Sequence, residues 1–176
     1  MFIDLKDHNN IVFFTGAGMS AESGVPTYRG SGGIWHKYNW EEFACQNAFD
    51  RNPEKVLDFH ELRRKTVLEC QPHDGHKFIS ELQKSYKNIT IVTQNIDGMH
   101  QRAGTENVIE LHGSIWRLRC DDCGIMFEDI GEAYRKRKCT CDKYLRPDIV
   151  WFGDMLDPSV IQKASDAIKK CDLFIS

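Results

Sequence analysis

The chain has 176 residues, 41% of them hydrophobic, and a formal net charge of −3 at pH 7. This length and apolar content allow one sizeable domain with a small inserted module. The charge offers no attraction to nucleic acid or to a membrane surface, so neither is expected as a partner, and composition does not determine the oligomeric state. Residues 1–7 carry charges where a signal peptide would be apolar, and the odd number of cysteines, seven, favours a reduced, cytoplasmic protein.

The first predicted strand, residues 10–15, runs directly into a glycine turn and then into small residues that can begin a helix. This arrangement is typical of loops that bind the pyrophosphate of a dinucleotide. Gly16 would permit the tight turn, Gly18 would let the backbone approach the phosphates, and Ala21 would occupy the third small position, where helix and strand pack closely. The phosphates would lie on the free N–H groups at the positive end of the helix. The alternative is a purely structural turn.

Strands and helices alternate along the rest of the chain. Residues 28–40, rich in glycine and aromatics, are expected to form a long ordered loop over a ligand. Asn52 and Pro53 are typical N-cap and N1 residues of a helix that runs to about Cys70, and Pro158 begins another helix. Further strands are predicted at residues 88–93, 108–111, 148–152 and 173–176. This alternation predicts an α/β fold with a largely parallel sheet and helices on both of its faces.

Two close pairs of cysteines are separated by fifteen residues: Cys120 with Cys123, and Cys139 with Cys141. This spacing favours a tetrahedral zinc site with four thiolate ligands. Because sulfur fills all four positions, the ion is expected to be structural. Chance clustering or disulfides are the alternatives.

Polar residues and a histidine follow two of the predicted strands. Gln94, Asn95 and Asp97 come directly after strand 88–93, where open α/β sheets bind ligands, and they suit a ribose and an amide. His112 follows strand 108–111 and precedes a glycine, and histidine takes up a proton near cellular pH. A turn with satisfied side chains and a structural histidine are the alternatives. We interpret the residues as a ligand loop with a general base.

A dehydrogenase would carry an acidic residue at the end of its second strand, about 20 residues after the glycines. Glu41 and Glu42 lie near that distance, but residues 40–44 have a helical pattern. The sequence therefore favours an enzyme that cleaves NAD over one that transfers a hydride.

These segments together resemble the sirtuins, NAD-dependent protein-lysine deacylases. Residues 16–30 resemble the first signature of the family and residues 93–100 the second. Leu111-His112-Gly113, the cysteine pairs and residues 150–153 follow in the family's order, so the resemblance covers nearly the whole chain. Residues 26–29 and the glycines at 32 and 33 are similar to the bacterial, desuccinylase-like branch.

The resemblance implies a Rossmann-like NAD-binding domain, residues 1–113 and 147–176 with a helical insertion at about 34–86, and a zinc module at residues 114–146. It implies that the substrates, NAD and an acyl-lysine protein or peptide, bind between the two. The NAD-binding residues carried over are Gly16, Ala17, Gly18, Ser20, Ala21, Thr27, Tyr28, Arg29, Trp35, Gln94, Asn95, Ile96 and Asp97. Val150, Trp151 and Phe152 would pair as a strand with the peptide.

The resemblance also implies a mechanism. The acyl oxygen attacks the ribose C1′ and nicotinamide leaves, and His112 then acts as general base on a ribose hydroxyl. Lysine and O-acyl-ADP-ribose are released. NAD hydrolysis or ADP-ribosyl transfer at the same site is one alternative, and a non-catalytic NAD or ADP-ribose binding module is another.

The desuccinylase branch has Tyr-x-x-Arg on one helix face to bind an acyl carboxylate. This chain has Arg63 at the matching position and His60 in place of the tyrosine. We favour a carboxylate clamp over an ordinary charged helix face, because arginine binds carboxylates bidentately.

Sirtuins continue beyond the position where this chain stops, with a Gly-Thr-Ser turn and loops around the adenosine. We therefore expect an incomplete sheet, weak NAD binding and little activity from these residues alone.

Overall fold

A four-stranded parallel sheet forms the centre of the computed structural model, which describes residues 4–29, 32–86 and 88–176. The charged residues 1–7 and the segment around Gly30 therefore fall partly outside the described residues. The strands are β1 (Ile11–Thr15), β2 (Ile89–Thr93), β3 (Val108–Glu110) and β7 (Leu173–Ile175), in the order β3-β2-β1-β7. Both β1 and β2 are rich in β-branched and aromatic residues and buried on both faces, as parallel strands require.

Helices cover both faces of this sheet, as the alternation predicts. On one face, Ile79 of α6 (Asp74–Ser85) packs against Ile11 and Ile91. On the other face, Ala164 of α8 (Pro158–Lys170) packs against Val12 and Val92. The Asp157 side chain caps α8 by accepting a hydrogen bond from the Ser159 N–H. The α/β fold class is confirmed.

Further helices lie in the connections from β1 to β2 and from β2 to β3. They are α1 (Ala17–Ala21), α2 (Ile34–Lys37), α3 (Trp40–Phe43), α4 (Gln46–Arg51), α5 (Pro53–Glu69) and α7 (Met99–Arg102). In α5, Asn52 accepts the Lys55 N–H at 3.1 Å and Pro53 occupies the first turn, which is the predicted start. Residues 28–40 are not wholly a loop, because α2 forms within them and donates the Ile34 N–H back to the Thr27 carbonyl.

A second, antiparallel sheet contains β4 (Gly113–Arg119), β5 (Met126–Glu128) and β6 (Arg146–Ile149), in the order β5-β4-β6. The strand expected at residues 148–152 is thus shorter and pairs with β4 rather than joining the parallel sheet. Gly113 has φ +73°, and a Cβ there would lie 2.0 Å from the Asp148 carbonyl oxygen. Only glycine permits this close approach of β4 to β6.

One hydrophobic core joins the α4–α5 hairpin to the second sheet, with Leu57, Val67, Trp116 and Leu118 among its buried members. A buried ion pair crosses the same boundary, with Arg64 Nη2 2.7 Å from Asp129 Oδ1 and both side chains fully inaccessible. Removing either partner would leave an uncompensated buried charge, so the pair holds the module firmly against α5. No helix in the described part of the chain is long and apolar enough to cross a membrane.

We predict that the folded chain loses stability in mild acid, because three buried histidines remain neutral. Burial is the main cause that lowers the pKa of His60 and His76 to about 3 and that of His100 to about 4. In the unfolded chain each pKa returns to about 6.5, so below that pH the unfolded state binds more protons. Each histidine should then cost about 1.4 kcal/mol of unfolding free energy per pH unit down to its folded pKa.

Urea unfolding at about pH 7.5, 6.5 and 5.5 measures this slope. The variant His76→Phe should flatten it by about one proton, and His36→Gln, at an exposed position, should leave it unchanged. An unaltered slope in His76→Phe would show that this histidine is not held neutral.

Candidate active site

Two loops leave the carboxyl edge of the parallel sheet side by side. The last pair of the β1–β2 register is Thr15 with Thr93, so the glycine loop and the 94–97 loop start at the same level. The Asn95 side-chain amide donates to the Gly16 carbonyl at 2.9 Å and to Ser20 Oγ at 3.1 Å. The two predicted ligand loops therefore form one structure.

A pocket opens between these loops and α5. Asp97 is 6% exposed, and its Oδ1 accepts the Met99 N–H at 2.9 Å. Burial raises the pKa of this carboxyl, against the opposing effect of the Met99 hydrogen bond. Other pocket residues are mostly small or apolar: Ala17, Ser20, Val25, Pro26, Tyr28, Arg63, Val67, Asn95, Ile96 and Ile115. The enclosed volume is only about 20 Å³, room for little more than one water molecule, so the pocket marks where polar groups converge and is not a preformed ligand cavity.

His112 lies half-buried in the turn between β3 and β4, next to Gly113. Its Nδ1 is 2.8 Å from the Gln94 carbonyl oxygen. A carbonyl oxygen only accepts, so Nδ1 carries the proton in the neutral ring and Nε2 keeps its lone pair. The histidine is thus held as a base beside the Gln94–Asp97 loop.

The glycine loop differs from the prediction in one residue. A Cβ on Gly18 would meet no described atom within 4 Å, so the space above the first turn of α1 is open, as a bound phosphate requires. Ala21, predicted to pack against the strand, is exposed, and Ser20, 1% exposed, is the small buried residue instead. Because α1 has only five residues, its free N–H groups matter more than its dipole.

The segment after the glycine loop is held by its own backbone. Thr27 Oγ1 donates to the Arg29 carbonyl at 2.9 Å, and Arg29 itself is exposed. A Cβ on Gly33 would lie 2.8 Å from the Arg29 carbonyl carbon, so only glycine permits this fold. The Tyr28 and Trp35 rings lie 5.7 Å apart, so Trp35 packs beside a residue that lines the pocket.

Residues 150–152 do not form the predicted strand. Their N–H groups are already donated, from Val150 to the His112 carbonyl, from Trp151 to Asp154 Oδ2 and from Phe152 to the Ala44 carbonyl. No described donor reaches the carbonyls of Val150 and Phe152. A peptide strand could therefore donate its N–H groups to the carbonyls of Val150 and Phe152 but would receive no N–H hydrogen bonds from residues 150–152.

His60 and Arg63 share a face of α5 but not a cavity. His60 is 4% exposed, stacks on the Trp151 ring at 5.8 Å and accepts the Trp151 indole N–H at 3.2 Å. Burial, followed by the charges of Arg63 and Arg146, holds its pKa at about 3, against the opposing Phe43 carbonyl. His60 thus supports Trp151 and does not line the pocket.

Arg63 does line the pocket, with its guanidinium 5.3 Å from the centre of the Tyr28 ring. It is 7% exposed, and its Nε meets no acceptor among the described residues. Burial raises the pKa of Tyr28, and the Arg63 charge opposes this shift. A buried donor without a partner is costly, so Arg63 is suited to an anionic ligand.

Sequence reasoning missed Trp116, whose indole N–H donates to the Asp97 carbonyl at 2.7 Å and so holds the 94–97 loop from below. Nothing in the local pattern of β4 indicates this contact, because the two residues meet only when the second sheet docks.

The four predicted zinc ligands come together. Their sulfur atoms all lie within 4.8 Å of one another, and Cys120–Cys141 and Cys123–Cys139 are each 3.5 Å apart. A tetrahedral ion with Zn–S bonds of about 2.3 Å needs sulfur separations of about 3.8 Å, so the set fits one zinc ion with all four positions filled by protein.

Comparison with known proteins agrees with this geometry. A sequence model described as the Sir2 family matches residues 16–176. An NAD-dependent protein deacylase of Aquifex aeolicus is 41% identical over 169 residues, which are 94% of this chain and 71% of that protein. The mitochondrial NAD-dependent protein deacylase sirtuin-5 of the dog is 37% identical over 193 residues, covering 93% of this chain and 62% of that protein.

Solved structures are similar over the same extent. A Sir2 homologue in complex with NAD has a TM-score of 0.85 at 39% identity, covering 98% of this chain and 71% of its own. A mutant Sir2 homologue bound to ADP-ribose has a TM-score of 0.88 at 39% identity, with coverage of 98% and 73%.

Proposed function

This chain belongs to the Sir2 family, and from that premise we propose that it is an NAD-dependent protein-lysine deacylase. It would transfer the acyl group to ADP-ribose and release nicotinamide. The observation that carries the proposal is the orientation of His112, whose Nδ1 is fixed by the Gln94 carbonyl while Nε2 has no hydrogen-bond partner among the described residues. A binding module would not need a base held in this tautomer.

Different residues at the carboxyl edge of the parallel sheet would bind different parts of NAD. The first-turn N–H groups of α1, at Ala17 and Gly18, would hold the pyrophosphate, and exposed Arg29 would add a positive charge. Asn95 and Asp97 would hold the ribose and carboxamide. Gly16, Ser20, Ala21, Thr27, Tyr28, Trp35, Gln94 and Ile96 complete the proposed NAD-binding set.

When bound, NAD supplies a ribose carbon that bears a cationic, readily departing nicotinamide. The protein then needs little acid catalysis and has mainly to position the reactants. His112 Nε2 would take the proton of a ribose hydroxyl, and its Nδ1–H stays on the Gln94 carbonyl throughout, which stabilises the protonated ring. Solvent reaches the half-buried ring and can carry the proton away.

The acyl-lysine peptide would bind along residues 150–152. Its N–H groups would donate to the carbonyls of Val150 and Phe152, and its own carbonyls would receive no hydrogen bonds from these residues. Arg63 supports a preference for acyl groups that end in a carboxylate, such as succinyl or malonyl. His60 supports it only indirectly, through Trp151. We also propose a cytoplasmic location, on the odd number of cysteines and the grouping of four of them at one metal site.

We predict that His112→Ala lowers NAD-dependent deacylation by at least about 100-fold, because the ribose hydroxyl loses its base. Nicotinamide release and peptide deacylation, both followed by chromatography, measure the loss. The exposed His36→Ala is the matched control and should retain full activity. Wild-type turnover by a folded His112→Ala protein would contradict the proposed mechanism.

For the acyl group, we expect Arg63→Met to reduce kcat/KM for a succinyl-peptide by about tenfold or more relative to an acetyl-peptide, since a charge-assisted bond to the carboxylate is lost. Lys65→Met removes an exposed positive charge from the same helix and so controls for the loss of one charge. It should leave the ratio of kcat/KM for the two peptides unaltered. Equal losses of kcat/KM on both peptides would show that Arg63 does not bind the acyl carboxylate.

A further inference from the structure

A chain of side-chain hydrogen bonds lies directly beneath the site and has no part in the proposed chemistry. His100 Nε2 is 3.0 Å from Thr15 Oγ1, and Thr15 Oγ1 is 2.9 Å from Thr93 Oγ1. Thr93 Oγ1 in turn accepts the backbone N–H of Asn95 at 3.0 Å. The three side chains are 2%, 8% and 3% exposed, so water does not compete for these bonds.

The direction of each bond follows from the donors available. His100 Nδ1 meets no partner among the described residues, so a ring proton there would be a buried donor without an acceptor. We therefore place the ring proton on Nε2, which donates to Thr15 Oγ1, and Thr15 in turn donates to Thr93. The hydrogen bonds therefore run from His100 to Thr15 and from Thr15 to Thr93, and Thr93 Oγ1 also accepts the backbone N–H of Asn95.

The far end of this chain is the residue that joins the two ligand loops. The hydrogen bond from its N–H to Thr93 Oγ1 holds the backbone of Asn95 in place, and the Asn95 side chain donates to Gly16 and Ser20 of the glycine loop. A change in Thr15 or Thr93 therefore displaces both loops at once, although neither threonine lines the pocket.

His100 is kept in place by aromatic packing. The ring of His76, 0% exposed, lies 4.9 Å from that of His100, and His73 lies 4.5 Å beyond His76. His73 accepts the Gly75 N–H at Nδ1, so its Nε2–H donates to the Met19 carbonyl of α1 at 2.6 Å. The three packed rings thus connect His100 to α1, with His73 making the hydrogen bond to that helix.

We propose that His100 is a positioning residue for NAD binding and cleavage, acting through Thr15 and Thr93 on Asn95. This inference rests on the proposed function, since it assumes that Asn95 holds the nicotinamide ribose. The relay itself is a property of the fold and can be tested without NAD.

The first experiment reads the relay directly in the free protein. Long-range ¹H–¹⁵N spectra of the histidine rings should show His100 protonated at Nε2, and Thr15→Val should shift both this ring and the Asn95 amide. Thr15→Ser keeps the hydroxyl and should restore both signals. A His100 ring protonated at Nδ1, or an Asn95 amide indifferent to Thr15→Val, would overturn the relay.

The second experiment measures NAD affinity by calorimetry in a double-mutant cycle. Thr15→Val and His100→Phe should each weaken binding about fivefold, the loss of one hydrogen bond, and the double variant should be no weaker than the single ones. His100→Gln, which keeps a donor, should recover most of the affinity.

The outcomes separate the two claims. If the wild-type chain does not bind NAD, the proposed function fails while the spectra still decide the relay. If the wild type binds and the two losses multiply, or both variants lower only the unfolding temperature, His100 is a structural residue and the positioning role is wrong.

Discussion

The parallel pairing of β1 with β2, in the register that sets Thr15 opposite Thr93, is the constraint on which the site depends. Parallel strands end at the same edge, so this pairing alone brings a glycine loop from position 16 next to a polar loop from position 94. A shift of one residue would turn Thr15 and Thr93 to the opposite face and separate Asn95 from Gly16. The buried hydroxyls make that shift costly, because each would lose its partner.

The second constraint is the docking of the cysteine module. Trp116, Arg64 and Asp129 join it to the 94–97 loop and to α5 through buried contacts. His112 stands in the turn that connects the two sheets, so its position depends on both. A structural zinc ion therefore contributes to the site at a distance, by keeping β4 in place rather than by touching a substrate.

Much of this was predictable from the sequence, because the signals are local. The glycine turn, the buried strands, the Asn52-Pro53 helix start and the cysteine pairs each need only a few adjacent residues. The glycine after His112 is also such a signal, since a positive φ is required there.

The remainder depends on contacts between distant residues, which local patterns do not contain. His60 matches a clamp position by helix spacing, yet Trp151, 91 residues later, occupies its ring nitrogen. Residues 150–152 have the composition of a strand, but Asp154 and the carbonyls of His112 and Ala44 accept their N–H groups. Ser20, and not Ala21, is the small buried residue that packs against the protein, because the five-residue α1 turns Ser20 inward. Each of these was decided by tertiary packing.

If one edge of the sheet couples NAD cleavage to acyl transfer, analysis of the products formed from NAD and an acyl-lysine peptide will show both steps together. The chain, incubated with NAD and an acyl-lysine peptide, should yield nicotinamide, the deacylated peptide and O-acyl-ADP-ribose. Mass spectrometry should find the three products in equal amounts. Nicotinamide and plain ADP-ribose beside a peptide that remains acylated would contradict the account and assign the site to NAD hydrolysis.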